Sequence, residues 1–311
     1  MQCPIISFKD LQSGDDCRVE NAVKDINRAL SNYGFFAFSD LGLSNDLAEK
    51  IFNASATFFA SDSKTKTRSA YSSAEENFGY QAFASERLDP SSPPDLKETF
   101  TMRNILEAPI AEDRWPSARF KELMQLFFAE CLDRAFLLQR ILARALDLDE
   151  NFFVKFHTGQ NISLRLLRYP SFSSTLISDS QLGAGAHTDY GLTTFLFQDS
   201  VGGLEICDQE GNWHEIAPEE GVVLINSGDL LERWTNGRYR STPHRVQPIT
   251  GGKDRFSIAF FVDPDSDTPV NVLESCISVH EPRKFADVNA GEYITGRLQR
   301  SHIGLAQDLI K

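Results

Sequence analysis

The chain predicts a mainly β protein with helical flanks, its strands forming an antiparallel sandwich or barrel. Three observations point there. Between residues 163 and 262 the apolar runs are short, rich in β-branched and aromatic residues, and separated by Gly, Pro, Asp and Asn. That spacing suits strands that close on one another. Ahead of this stretch the apolar positions recur at helical intervals, and from Glu281 to Lys311 the helical character returns.

In chain order, Ile5–Phe8 reads as a short opening strand. From Val19 to Tyr33 the residues Ala22, Val23, Ile26, Ala29 and Leu30 form one helical face, and Gly34 ends the helix. Phe35–Phe38 reads as a strand. Ser44 then caps a second helix carrying Leu47, Ile51, Ala54 and Phe58 on one side. The Ser-, Asp- and Pro-rich stretch from Ser61 to Pro94 predicts a long surface connection. Pro116 opens a helix that reaches Leu146 through Leu123, Leu126, Phe127, Leu132 and Leu137. Strands follow at Leu164–Tyr169, Leu192–Phe197, Gly203–Ile206, Val222–Ile225 and Phe256–Val262, with a hairpin turn at Asp208–Asn212. The expected division is a mainly helical region, 1–160, covering the site, and a catalytic core, 161–311, with a C-terminal helix, the two forming one unit.

Composition narrows the function. At 311 residues, 41% hydrophobic and 24% charged, the chain can bury a sizeable core. A net charge of -13 argues against a nucleic-acid partner. Cys3, Cys17, Cys131, Cys207 and Cys276 are scattered, which fits a reduced, cytoplasmic setting and neither a disulfide framework nor a thiolate zinc site. No signal peptide, membrane span or obligate protein partner is expected.

The chemistry concentrates in two places. In Gly185–Tyr190, alternation along a strand would set His187 and Asp189 on one face. His244 supplies a third ligand, and two His with one carboxylate form the facial triad of non-haem iron(II) oxygenases. His157, His214, His280 and His302 have no carboxylate two residues on and read as structural or surface residues. Downstream, Arg255 and Ser257 share a face of an apolar strand. A guanidinium fork with a hydroxyl beside it suits a carboxylate. The plainer alternative is an internal ion pair of Arg255 with Asp229 or Glu232.

Together, His187-Thr188-Asp189, His244 and Arg255-Phe256-Ser257 resemble the iron and 2-oxoglutarate dioxygenases of the isopenicillin N synthase-like superfamily. Asn32–Phe36, Gly202–Ile206, Trp234–Val246, Glu281-Pro282 and Gly291–Tyr293 extend the resemblance over nearly the whole chain. Gly183–Leu192, Pro94–Thr101 and Leu164–Pro170 are most similar to the microbial ethylene-forming branch. The resemblance implies a double-stranded β-helix (jelly-roll) core with iron(II) on His187, Asp189 and His244 as the catalytic centre. It implies that Arg255 and Ser257 hold the far carboxylate of 2-oxoglutarate, with O2 as cosubstrate. The activity implied is dioxygenase oxidation, chiefly hydroxylation, of a small molecule, with release of succinate and CO2. Where plant members carry Asn-Tyr-Tyr-Pro this chain has Leu167-Arg168-Tyr169-Pro170, so the Asn is missing and Tyr169 takes the place of the matching tyrosine. Arg165 shares the face of Tyr169 and reads either as a second carboxylate partner or as a bridge between strands. Glu98 matches a substrate-touching glutamate of the ethylene-forming branch, or orients a loop. Phe100 and Tyr80, with Phe78 and Phe83, read as pocket aromatics or as core. Three alternatives stay open: ethylene formation coupled to arginine hydroxylation, a same-fold oxidase without 2-oxoglutarate, and a non-catalytic ligand-binding module.

Overall fold

The computed structural model describes residues 3–44, 46–173 and 180–301. In chain order the elements are β1 (Ile5–Ser7), α1 (Phe8–Leu11), α2 (Asp16–Asn32), β2 (Phe35–Ser39), α3 (Leu47–Phe59), α4 (Ser63–Arg68), β3 (Phe78–Gln81), β4 (Glu98–Arg103) and α5 (Ala118–Ala145). The second half adds β5 (Ser163–Tyr169), β6 (Ala184–His187), β7 (Thr193–Gln198), β8 (Leu204–Cys207), β9 (Trp213–Glu215), β10 (Val223–Ser227), α6 (Asp229–Trp234), β11 (His244–Val246), β12 (Arg255–Val262), β13 (Pro269–Val270), β14 (Val288–Asn289) and α7 (Ala290–Ser301).

Two sheets face each other. The larger runs β1-β2-β10-β7-β12-β5-β4-β3 and the smaller β6-β11-β8-β9. All pairings are antiparallel except β1 with β2. Alternation divides the larger sheet's side chains between two cores. Phe36, Phe38, Phe100, Leu166, Phe195 and Phe260 turn toward α2, α3 and α5. Phe35, Leu167, Leu224 and Ala259 turn the other way, onto Ile206 and Val246 of the smaller sheet. Edge-to-face contacts at 5.1 Å, Phe127 on Phe197 and Phe128 on Phe260, seat α5 on the first face. The site lies between the sheets, on the second face.

Local chemistry sets the boundaries. Asp15 caps α2 by accepting from the Cys17 and Arg18 N–H groups, and Gly34 follows it at φ 68°. A side chain at 34 would strike the Arg240 carbonyl and the Thr242 hydroxyl. Five sequence expectations need correction. Phe8 starts α1 instead of ending β1. Ser44 does not cap α3: its N–H donates to Glu130 Oε2 at 2.9 Å, and Asp46 takes the cap position. α5 opens at Ala118 and not at Pro116, because Ser117 caps it by accepting from the Phe120 N–H at 3.1 Å. The stretch 61–94 is not an unstructured connection, because Asp62 caps α4 and β3 joins the sheet edge beside β4. The tail is helical only from Ala290, since 281–289 is loop and the short β14; α7 is described to Ser301, and the rest of the expected helix lies outside the described residues.

Candidate active site

β6 and β11 are neighbours, and His187 stands opposite His244 in register. Their ring centroids are 4.3 Å apart. β6 stops at His187, so Asp189 reaches the pair from a turn and not along a strand. The Asp229 N–H, donating to the Asp189 carbonyl at 2.8 Å, holds that turn. Asp189 Oδ1 lies 3.8 Å from His244 Nε2, and one ligand atom from each of the three residues lies within 4.8 Å of the others.

The donor set fits a divalent metal. Each imidazole gives its Nδ1–H to a backbone carbonyl, His187 to Gly185 at 2.7 Å and His244 to Thr242 at 3.2 Å. That choice of tautomer leaves both Nε2 lone pairs bare. Asp189 Oδ2 accepts from the Thr194 hydroxyl at 2.6 Å and the Asn226 amide at 2.7 Å, which leaves Oδ1 to face the ring of His244. Burial, reinforced by the charge of His244, pushes His187 well below the ordinary histidine range, so its imidazole is neutral at pH 7. Burial raises the Asp189 carboxyl, but the two imidazoles and the Thr194 and Asn226 hydrogen bonds outweigh it and keep the group ionised.

At the other end of the barrel lining, Arg255 stands opposite Tyr169 in register and is 1% exposed. Its Nη2 donates to Gln198 Oε1 at 2.8 Å and its Nη1 to Ser257 Oγ at 3.3 Å, while the guanidinium sits 4.8 Å above the Tyr169 ring. Its Nε is buried without a partner. The internal ion pair weighed from sequence does not form: Asp229 pairs with Arg297 at 3.1 Å, and Glu232 accepts from the Ser241 N–H at 3.2 Å. Among the described residues no carboxylate pairs with Arg255. A buried cation with only neutral partners is costly unless an anion completes it, and the far carboxylate of 2-oxoglutarate is such an anion.

Arg165 lines the cavity with Tyr169, His187 and Asp189 but does not adjoin Arg255. It pairs with Ala259, four residues along β12 from Arg255, or about 13 Å at strand spacing. Its Nη2 is committed to Glu86 at 2.5 Å, Gln81 at 3.0 Å and Thr99 at 3.1 Å. The structure therefore places Arg165 in a buried ionic cluster and not beside Arg255. Lys97 joins that cluster through Asp95 at 2.6 Å and Glu86 at 3.5 Å, and Asp95 accepts the Gly185 N–H at 2.9 Å, which pins β6.

The three residues expected at the substrate also move. Glu98, Phe100 and Tyr80 face the helices, because even-numbered positions of β3 and β4 point away from the barrel. Glu98 bonds Lys66 at 3.0 Å, the Tyr80 hydroxyl at 2.5 Å and Arg168 at 2.6 Å. Phe100 packs on Phe58 at 4.9 Å. Phe78 packs on Trp115 at 5.0 Å, and Phe83 is exposed.

The odd-numbered neighbours take their place. A cavity of about 100 Å³ adjoins His187 and Asp189 and is lined by Gln81, Thr101, Tyr190, Phe261, Asp263 and Ile294 among others. A larger groove of about 630 Å³, between Asp40–Phe52 and Glu219–Val223, holds none of the triad. Sequence reading passed over Thr194, Asn226, Gln198 and Asp263. For Asp263 the parity of β12 was the available signal, since it shares the barrel face of Arg255 and Ser257; for Thr194, Gln198 and Asn226 only the polar residue in an apolar strand gave a sign. Finally, Arg297 of α7 donates to Thr188 Oγ1 at 3.1 Å and lies 4.7 Å over Tyr190, tying the C-terminal helix to the metal-site turn.

A jelly-roll barrel with a two-His, one-carboxylate triad and a buried arginine still wanting an anion defines a class, the non-haem iron oxygenases that use a 2-oxo acid. The comparisons give the family. Residues 161–264 match the 2OG-Fe(II) oxygenase superfamily, and residues 3–122 match the family described as non-haem dioxygenase in morphine synthesis N-terminal. The 2-oxoglutarate-Fe(II) type oxidoreductase hxnY of Emericella nidulans is 27% identical, over 96% of this chain and 90% of that protein. Proline hydroxylase buaE of Petromyces alliaceus is 29% identical, over 97% of this chain and all of that protein (100%). The crystal structure of a full-length Neurospora crassa protein in complex with alpha-KG and thymine is similar at a TM-score of 0.87, with 31% identity and 96% of each chain covered. The chain belongs to the 2OG-Fe(II) oxygenase superfamily: it is an iron(II)- and 2-oxoglutarate-dependent dioxygenase that oxidises a small molecule.

Proposed function

We propose that His187, Asp189 and His244 hold the iron, that Arg255, Ser257 and Tyr169 receive the far carboxylate of 2-oxoglutarate, and that the enzyme hydroxylates a compact polar molecule in the adjoining cavity. The observation that carries this is Arg255: a guanidinium 1% exposed, with neutral partners only, in the same barrel lining as the triad. When bound, iron with 2-oxoglutarate and O2 supplies the oxidising power and releases succinate and CO2. The chain supplies the rest. Asn226 and Thr194 fix the Asp189 carboxylate, backbone carbonyls fix the two imidazoles, and Arg255 orients the cosubstrate. Leu167, Phe261 and Ile294 supply the apolar part of the cavity wall and limit water. The test is the ratio of succinate formed to substrate oxidised. A value near one supports the reading, and oxidation with no succinate overturns it.

The Neurospora crassa protein was crystallised with thymine and with 5-formyluracil, and buaE is called a proline hydroxylase. These are compact polar molecules, in keeping with a cavity of about 100 Å³. The ethylene-forming branch rests on the motif resemblance in Gly183–Leu192 and Pro94–Thr101. Ethylene in the gas phase over a reaction with arginine would assign the chain to it. The regions 1–160 and 161–311 work as one unit in this reading, which is supported by β1 to β4 lying in the same sheet as β5, β7, β10 and β12. The scattered cysteines favour a cytoplasmic setting. Among the described residues no helix is long and apolar enough to cross a membrane.

A further inference from the structure

One acidic group in the cavity has no part in holding iron or cosubstrate. Asp263 follows β12 on the barrel-facing side, six residues beyond Ser257, or about 20 Å along the strand direction from the cosubstrate slot. It lines the same cavity as His187 and Asp189. Its carboxylate makes no hydrogen bond or ion pair among the described residues. The backbone around it is nevertheless fixed. Asn161 donates to the Pro264 carbonyl at 2.8 Å, and Asp265 accepts from the Thr158 N–H at 3.0 Å. Across from it, Gly191 leaves the room the carboxylate needs, because a Cβ there would overlap Asp263 Oδ1. Burial and then the neighbouring Asp189 carboxylate push the Asp263 carboxyl up to about 7, and Arg103 is the cation that pulls the other way. It shares the barrel face of β4 with Thr101 and also has no hydrogen bond or ion pair among the described residues.

An acceptor held rigidly, open to a cavity and left without a donor is completed by a donor on the ligand. We propose that Asp263 is the specificity-determining residue of this enzyme. It accepts an N–H of the substrate, while the Thr101 hydroxyl, which lines the same cavity, donates to an adjacent carbonyl or carboxylate. The substrate class is then a small nitrogen compound with N–H beside C=O, such as a cyclic amide, an imide or an amino acid. This rests on the function proposed above, because it needs the cavity beside the triad to be the substrate site. It adds the polarity the substrate must have.

The test compares matched probes on the enzyme loaded with iron(II) and 2-oxoglutarate without oxygen, by equilibrium dialysis. Thymine is paired with 1,3-dimethylthymine, and L-proline with its N,N-dimethyl betaine, followed by further cyclic amides and amino acids with their fully N-methylated twins. At least one N–H compound should bind roughly 10- to 100-fold tighter than its twin, and Asp263→Ala, which removes the acceptor, should abolish that preference. Equal binding of the twins overturns the proposal, as does a preference that survives Asp263→Ala, or failure of every N–H compound to bind. If Asp263→Ala does not fold, the wild-type comparison decides alone. Failure of the underlying function reads differently: the wild-type enzyme would then form no succinate in air with iron(II), 2-oxoglutarate and any probe.

Discussion

Replacing Arg255 with Met should weaken 2-oxoglutarate binding and yet leave the ligand-free protein as stable as before, or more so. Met is unbranched and fills much of the same space. The wild-type guanidinium is 1% exposed, keeps one buried nitrogen without a partner and faces no carboxylate among the described residues. Such a charge costs stability until an anion arrives, so an apolar replacement is neutral or favourable in the ligand-free state. The ligand-bound state moves the opposite way. Charge-assisted hydrogen bonds to the cosubstrate are worth about 2–3 kcal/mol, or roughly 30- to 150-fold in Kd. At about 100 times the wild-type Kd, 2-oxoglutarate stabilises the wild-type protein by about 2.7 kcal/mol and the variant by under about 1 kcal/mol. For a chain of this size that is a ligand-induced Tm shift of about 5 °C against about 2 °C or less. The assay is thermal unfolding without oxygen, with iron(II) present and 2-oxoglutarate added or withheld. Equal ligand-induced shifts in the two proteins would refute the placement of the cosubstrate. A sharp fall in the ligand-free Tm of the variant would refute the claim that Arg255 is under strain without its anion.

Three further outcomes follow from other parts of the structure. Asn226→Leu removes one of two hydrogen bonds to Asp189 Oδ2 and should weaken iron(II) binding about 10- to 100-fold at an unchanged fold, measured by metal competition titration. Glu98→Ala leaves Lys66 without its carboxylate and Arg168 with Asp254 alone, so it should cost about 1–3 kcal/mol in denaturant unfolding while the substrate KM stays within about twofold. His157 is buried, donates its Nδ1–H to the Phe153 carbonyl at 2.7 Å, and is held by burial at about 4, below the usual 6.5. The folded protein keeps it neutral where the unfolded chain is already protonated. Stability should therefore fall as pH drops from 6.5 toward 4, by up to about 1.4 kcal/mol per unit, and be independent of this group above 6.5. His157→Leu should flatten that slope in unfolding measured between pH 6.5 and 5. An unchanged slope would mean the group does not titrate as described.

The sequence was informative wherever one residue's chemistry decides a position by itself. His187, His244, Arg255 and Ser257 could be singled out because an imidazole or a guanidinium in an apolar strand needs a reason. The strands of the second half were likewise legible from their short apolar runs, with β5, β7, β8, β10 and β12 found within a residue or two. What escaped was set by partners distant in sequence. Ser44 has the right chemistry for a cap, but the Glu130 carboxylate on α5 claims its N–H. Glu98 and Phe100 were assigned to the pocket by resemblance, and only the pairing of β4 with β5 shows that they face the helices and that Thr99 and Thr101 face the barrel. Arg165 shares a face with Tyr169 as expected, but Glu86, which holds it, comes from a segment with no strand pattern of its own.

β12 is anchored on both edges, by seven register pairs with β5 and six with β7. A one-residue slip anywhere along it would turn Arg255 and Ser257 into the helical layer and abolish cosubstrate binding at a stroke. The ladder ends at Val262, however, and Asp263 lies just past it. Descendants of such a gene can therefore change the residue at 263 without disturbing the locked end. A lineage built on this strand has one end free to explore new substrates while the other preserves its oxidising chemistry.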